Sequence, residues 1–425
     1  MIGFALGGGA VLGVRRLADR AGAADAGPPA SGYPTPPPVS AVPALVVNGT
    51  DPPLPVKICR FERVAVDPAI SHNGHKPKVI ADFAREGIFG IAAATAGEGM
   101  NVYRPPGWTK FLINSYHRDG GEEDAQAVDI NGDGAPDIVI GGLDNEVVWL
   151  ENPLPSGKDP YQSPWTLHTI GTAPSHDVVV ADMDGDGKTD VIANGGVLFQ
   201  NGPDSWMLVG RPLIDRNAEG TMVGNIVGDS VPDIIAPDAR HRLVWFENPR
   251  HRRGDPRTQA WTPHVIAVGF ERMAIAVADL NHDGRLDVMM APMYHEGGLV
   301  WLENPPDPRH GNWVRHEIDS SINFVHQGSL QVADFNGDGN LDIAFAEQEQ
   351  SLTRRVGVFY SNDREGHAWT LQVLARTGGH NIKVGRIGRD TRPSILNANH
   401  GFFGVPNPLE VWHNLGPAMK EIQRR

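Results

Sequence analysis

The stretch ADMDGDGKTDV at 181–191 is one copy of a pattern that recurs along the chain. It returns in AVDINGDGAPDIVI (127–140), VADLNHDGRLDVMM (277–290) and VADFNGDGNLDIAF (332–345). Weaker copies fill the gaps: IADFAREGIFGIAA (80–93), VGNIVGDSVPDIIA (223–236) and VGRIGRDTRPSILN (384–397). Aligned on Asp82, Asp129, Asp182, Asn225, Asp279, Asp334 and Arg386, seven copies recur about every 50 residues. A period of that size marks propellers and arrays, in which one unit cannot bury its apolar face without its neighbours.

Each unit carries further shared parts. A β-branched run such as DIVI or DIIA follows the acidic loop, then an aromatic strand: VVWLENP (147–153), LVWFENP (243–249), LVWLENP (299–305). Next comes a strand that opens on Trp: WTLHTI (165–170), WTPHVI (261–266), WVRHEI (313–318), WTLQVL (369–374) and WTKFLI (108–113). Four short strands bounded by Gly, Pro and Asn, repeated seven times, predict an all-β, seven-bladed propeller of four-stranded blades. The last unit stops after its third strand, LEVWHN (409–414), while a spare strand, VKICRFERVAV (56–66), precedes the first. We expect 56–66 to join the last blade, close the ring and hide an edge that would otherwise pair with other chains. Cys59, the sole cysteine, then acts as a small buried apolar side chain in that strand.

Outside the ring the sequence reads differently. Residues 1–16 hold a short apolar run, IGFALGGGAVLGV, ahead of Arg15 and Arg16, with the length of a signal-peptide core. Residues 17–55 are rich in Ala, Gly and Pro and read as a disordered linker. The propeller is expected over 56–414, with a tail at 415–425. No apolar run reaches the ~20 residues that span a bilayer. The net charge of −14 argues against nucleic acid and anionic lipid as partners. The expectation is a monomer that is secreted, periplasmic or held in the cell envelope.

The full acidic loops follow D-x-[DN]-x-D-G-x-x-D. Their side chains are Asp129, Asn131, Asp133 and Asp137; Asp182, Asp184, Asp186 and Asp190; Asp279, Asn281, Asp283 and Asp287; and Asp334, Asn336, Asp338 and Asp342. Alternating oxygens on a tight turn converge on one point, and a hard cation such as Ca2+ takes six to eight oxygens. The twelfth position is Ile140, Ala193, Met290 or Phe345 rather than Glu, so these are not EF-hands. About four structural calcium sites are expected. The loops at Ala84 and Glu86, at Val227 and Ser230, and at Arg386 and Arg389 are degenerate and are expected to bind nothing.

These units resemble the FG-GAP/VCBS repeats of integrin-like propellers, over roughly 56–414. The resemblance implies calcium in the turn between the first and second strands of a blade, in a structural role. An ion enclosed by oxygens is not set up to activate water.

Chemistry is therefore expected at the opposite face, where the first strands begin and the second strands end. His75, Glu123, His176, Glu219, His241, His295, Glu296, His326, His380 and His400 fall on that predicted rim. Imidazole and carboxylate together can hold a second divalent metal at the channel mouth, or act as base and acid on a carbohydrate. Two readings stay open. One is an exported module that binds a glycan, a small sugar or a protein through the rim, with His75, His241, His295, Glu296, His326 and His400 as contacts. The other is a carbohydrate lyase or dehydratase. The W-x-x-H-x-I and W-x-E-N-P strands look like the propeller part of aldos-2-ulose dehydratase-type proteins. That resemblance implies metal-assisted loss of water from a keto-sugar, with His176, His380, Glu123 and Glu219 as the best catalytic candidates. His168, His264 and His316 recur at one strand position and are expected to pack the blades. No phosphate-binding Gly loop and no G-x-S-x-G elbow is present.

Overall fold

The computed structural model describes residues 45–48, 57–68, 77–95, 98–115, 122–142, 146–173, 177–193, 196–209, 219–238, 240–268, 273–294, 297–399 and 408–417. All of these lie in the second of two units, Met1–Pro37 and Pro38–Arg425. The expected signal segment, most of the linker and most of the tail lie outside the described residues. Among the described residues no helix is long and apolar enough to cross a membrane.

Seven antiparallel sheets form. From inner to outer strand, blade 1 holds Lys78–Ala81, Gly90–Thr95, Gly99–Arg104 and Thr109–Asn114. Blade 2 holds Glu122–Val128, Asp137–Gly142, Glu146–Glu151 and Thr166–Thr172. Blade 3 holds Val178–Ala181, Asp190–Ala193, Gly196–Gly202 and Ser205–Val209. Blade 4 holds Met222–Gly224, Asp233–Pro237, Arg242–Glu247 and Thr262–Val268. Blade 5 holds Met273–Ala278, Asp287–Pro292, Leu299–Glu303 and Val314–Asp319. Blade 6 holds Val325–Ala333, Asp342–Glu347, Val356–Ser361 and Trp369–Ala375. Blade 7 holds Lys383–Gly385, Ser394–Asn397 and Leu409–Pro417, and its outer strand is Cys59–Asp67 from the chain's start.

The inner strands touch one another in closed cyclic order, from blade 1 round to blade 7 and back. Closure is made by Cys59–Asp67, which pairs antiparallel with Leu409–Pro417, Val64 opposite Val411. Cys59 is 1% exposed, and burial pushes its thiol up to about 11, so it serves as packing rather than as a nucleophile. Two details depart from the sequence pattern. Leu45–Asn48, inside the stretch read as linker, adds a fifth strand to blade 6 beside Trp369–Gln372. Blade 3 joins its last two strands by a short hairpin and lacks the Trp-initial outer strand of its neighbours.

The core is not inside blades but between them. Seven apolar layers each join facing sides of adjacent sheets. The second residue of every acidic or degenerate loop is apolar and buried in such a layer: Phe83, Ile130, Met183, Ile226, Leu280, Phe335 and Ile387. Trp149, Trp245 and Trp301 stack on their direct cross-strand partners His168, His264 and His316, with centroids 4.2–4.4 Å apart. Each of these imidazoles also contacts a Glu at the end of the Trp strand (Glu151, Glu247 or Glu303) at 2.9–3.1 Å. The recurrent histidines therefore pack blades.

Deleting 57–67 should bare the Leu409–Pro417 edge. The expected outcome is an aggregating chain without a cooperative thermal transition. A soluble, monomeric truncation with an unchanged midpoint, read by light scattering and calorimetry, would contradict closure by this strand.

Candidate functional site

The acidic loops form one face. The first acid of each full loop folds the turn around itself: Asp129 accepts backbone N–H groups from Gly132, Asp133 and Gly134 at 2.7–3.1 Å. Gly134 and its counterparts Gly187, Gly284 and Gly339 have φ of +83 to +91°, where a side chain would be strained. In blade 3, ligand atoms of Asp182, Asp184 and Asp190 lie within 4.8 Å of one another. Arg257, reaching from blade 4, also touches Asp184 at 2.5 Å, and Lys188 touches Asp186 at 2.5 Å. Nearby cations thus hold part of the acidic charge.

The ninth position behaves differently from the other three. Asp137, Asp190, Asp287 and Asp342 are fully buried, and so is Asp233 of the degenerate loop in blade 4. One oxygen of each accepts the N–H of the loop's second residue at 2.8–3.2 Å. The other accepts an N–H from the end of the third strand, at Asn152, Gln200, Asn248, Asn304 or Ser361, at 2.8–3.1 Å. Burial pushes the Asp137, Asp190 and Asp287 carboxyls up to about 7 and Asp342 to about 8, with repulsion from the other loop acids adding to the shift.

The side-chain amide at the end of the third strand then crosses to the preceding blade. Asn152, Gln200, Asn248, Asn304 and Asn414 donate to the carbonyls of Phe83, Ile130, Met183, Ile226 and Phe335 at 2.8–3.0 Å. The Asn of W-x-E-N-P is therefore an inter-blade link. The sequence signal for this link is the recurrence of Asn at one position of the motif in blades 2, 4 and 5.

Strand topology puts the beginnings of the inner strands on the opposite face. There His326 and His380, fully or nearly buried, lie with ring centroids 3.8 Å apart at 31°. His326 Nδ1 lies 3.0 Å from the Gln327 carbonyl and 3.1 Å from Asn381 Oδ1. A carbonyl only accepts, so Nδ1 carries a proton and, in the neutral ring, Nε2 holds the lone pair. Nε2 is 3.9 Å from Glu219 Oε2, which also lies 3.4 Å from the Tyr294 hydroxyl. Two backbone constraints hold the group. Gly220, at φ +99°, sits where a Cβ would meet the Met273 carbonyl at 2.5 Å, and Asp177 accepts N–H groups from Gly220 and Thr221. Gly328, at φ +81°, lies against Asn381. Below them, Lys78 Nζ donates to the His380 carbonyl at 2.8 Å, and Lys383 of blade 7 pairs with Asp124 of blade 2 at 2.8 Å.

Of the predicted rim, Glu219, His326 and His380 thus converge, and Tyr294 joins them. His241 is exposed at a turn in blade 4 that Asp238 closes on Arg242. Glu347 is buried and bound to Arg355 at 2.6 Å. His75, His176, His295, Glu296 and His400 lie outside the described residues. Glu123 is in the inner strand of blade 2, and its side chain is likewise outside the description.

A search of curated proteins found no match. Among solved structures, a lectin of Agrocybe aegerita, described as recognising non-reducing terminal N-acetylglucosamine, is 16% identical with TM-score 0.50. The match covers 71% of this chain and 81% of the lectin. BBS1N, crystallised in complex with ARL6DN, is 12% identical with TM-score 0.51, over 83% of this chain and 95% of that one. These likenesses are of fold. The family model of the FG-GAP-like repeat matches residues 129–193 and 226–290, so the chain carries FG-GAP-like repeats within a seven-bladed β-propeller.

Proposed function

We propose that this propeller is a calcium-braced binding module that takes a glycan at the channel mouth. The observation that carries the reading is the convergence of Glu219, Tyr294, His326 and His380 on the face opposite the acidic loops. A carboxylate, a phenol and two imidazoles offer the mix of acceptors and donors that sugar hydroxyls need. Their burial makes each such bond worth more than at an open rim. A protein ligand is the rival occupant. A second reading, loss of water from a keto-sugar, is favoured by one feature: the His326 imidazole lies against both the Glu219 carboxylate and the His380 imidazole. In that reading a divalent metal at the mouth would polarise the carbonyl.

The test is a glycan array followed by calorimetry on hits, with keto-sugars incubated in parallel. We expect saturable glycan binding, weakened about 10- to 100-fold by Glu219→Gln and by His326→Ala. Consumption of a keto-sugar would move the assignment to the lyase reading. No glycan binding, or binding indifferent to both substitutions, would overturn the mouth as the site.

Calcium fits the loops by donor chemistry, since every candidate side chain in the full loops offers oxygen. Asp129, Asn131, Asp133 and Asp137, and their counterparts in blades 3, 5 and 6, would hold it. The ninth-position carboxyls have folded pKa values above the ordinary carboxylate value. In cation-free protein their contribution is therefore present below about pH 4 and lost as pH rises through about 7 to 8. Bound calcium must displace those protons and reverses the penalty. The gain in thermal midpoint on adding calcium to chelated protein should be larger at about pH 8 than at about pH 5.5. Equal gains, or none, would contradict calcium at these acids.

A further inference from the structure

The loop of blade 4 has lost the oxygen donor at its third position and the carboxylate at its first. Asn225 stands at its first position, Val227 at its third and Ser230 at its sixth, leaving the carboxylates Asp229 and Asp233. It nevertheless keeps the fold of the full loops. Asn225 Oδ1 accepts from Gly228 and Asp229, and Asp233 binds the N–H groups of Ile226 and Asn248. What the neighbouring blades lack is His251, which lies in a short 3-10 turn, Pro249–Arg252, after the third strand. Aligned on Glu-Asn-Pro, blade 2 has Pro155 at that position and blade 5 has Asp307.

The His251 side chain is 1% exposed and spans the two acids, with Nδ1 2.6 Å from Asp229 Oδ2 and Nε2 2.8 Å from Asp233 Oδ1. Burial raises the Asp233 carboxyl, while the His251 hydrogen bond and the two backbone N–H groups on its oxygens pull the other way; with both oxygens already accepting, the ring nitrogen is placed to donate. Asp229 spends its other oxygen on the N–H of Val231. An imidazole that donates from both nitrogens is an imidazolium. In a full loop the fifth and ninth acids would face a metal ion; here they face an imidazole ring.

We propose that blade 4 carries its own cation, with the His251 imidazolium bridging Asp229 and Asp233 in place of a metal ion. The other charged groups around it are engaged elsewhere or act on its partners. Arg309 acts on Asp229 and binds Glu247, Arg252 binds Glu247, and Arg250 lies against Gly185 of blade 3. Burial alone would lower the His251 pKa, but the hydrogen bonds to Asp233 and Asp229 outweigh it and raise it, while Asp229 is lowered. The raised value means that the stabilisation is fully present below the ordinary imidazole value. It is lost as pH climbs through the folded value.

Thermal unfolding of chelated wild type, His251→Gln and Asp229→Asn tests this without reference to bound calcium. His251→Gln should lower the midpoint by about 3 °C near pH 6 and by less than about 1 °C near pH 9. Asp229→Asn, the milder change, should show the same convergence if the first variant fails to fold. Nitrogen-15 spectra of the imidazoles should show both His251 ring nitrogens protonated near neutral pH. A midpoint loss that is the same at both pH values, or a ring nitrogen without a proton, would overturn the proposal.

Discussion

Five buried aspartates, Asp137, Asp190, Asp233, Asp287 and Asp342, hold the blades in register. A carboxyl group in an apolar layer is expensive unless its oxygens are satisfied. Here each ties the loop after the first strand to the exit of the third. In three of these blades the Asn at that exit then binds the preceding blade's loop, and Gln200 does the same in blade 3. Of the three remaining junctions, Asn414 donates to the Phe335 carbonyl between blades 6 and 7, Trp301 Nε1 donates to the Gly366 carbonyl between blades 5 and 6, and Phe89 pairs with Gly388 between blades 1 and 7. One repeated hydrogen-bond relay thus does inside the ring what strand pairing by Cys59–Asp67 does at its seam.

This relay separates two roles that the acidic motif merges. The first, third and fifth positions point into the loop, where a cation is proposed. The ninth position also ties the loop to the third strand, and that second role works whether or not the loop is intact. Blade 4 shows this, since its loop has Val227 in place of an oxygen donor yet keeps the Asp233 bonds. Blade 7 carries Ser394 at the ninth position, and its hydroxyl accepts the N–H of Asn414. Blades 4 and 7 thus keep the hub or a neutral substitute, whereas blade 1 has Gly90 at the ninth position.

The period, the blade count, the four strands and the closing strand were legible because they are written as hydrophobic alternation and turn residues in sequence. The packing role of His168, His264 and His316 was legible from their common register. Other features were not. His251 sits in an irregular connection, where no repeat marks it. The contact between His326 and His380 depends on how blades 6 and 7 abut, which no local spacing encodes. The same holds for Glu219 and Tyr294, which come from blades 4 and 5. Leu45–Asn48 escaped notice because a Pro-rich setting masks a short strand.

The central claim is that the buried ninth-position acid, rather than the ion, secures each of the five blades that carry it. Amide hydrogen exchange in chelated protein tests it at the N–H groups of Ile130, Met183, Ile226, Leu280 and Phe335. The account predicts protection at all five on the scale of the core strands, with Ile226 of blade 4 no faster than the rest. Exchange of these amides at the rate of exposed loop positions once calcium is removed would contradict it.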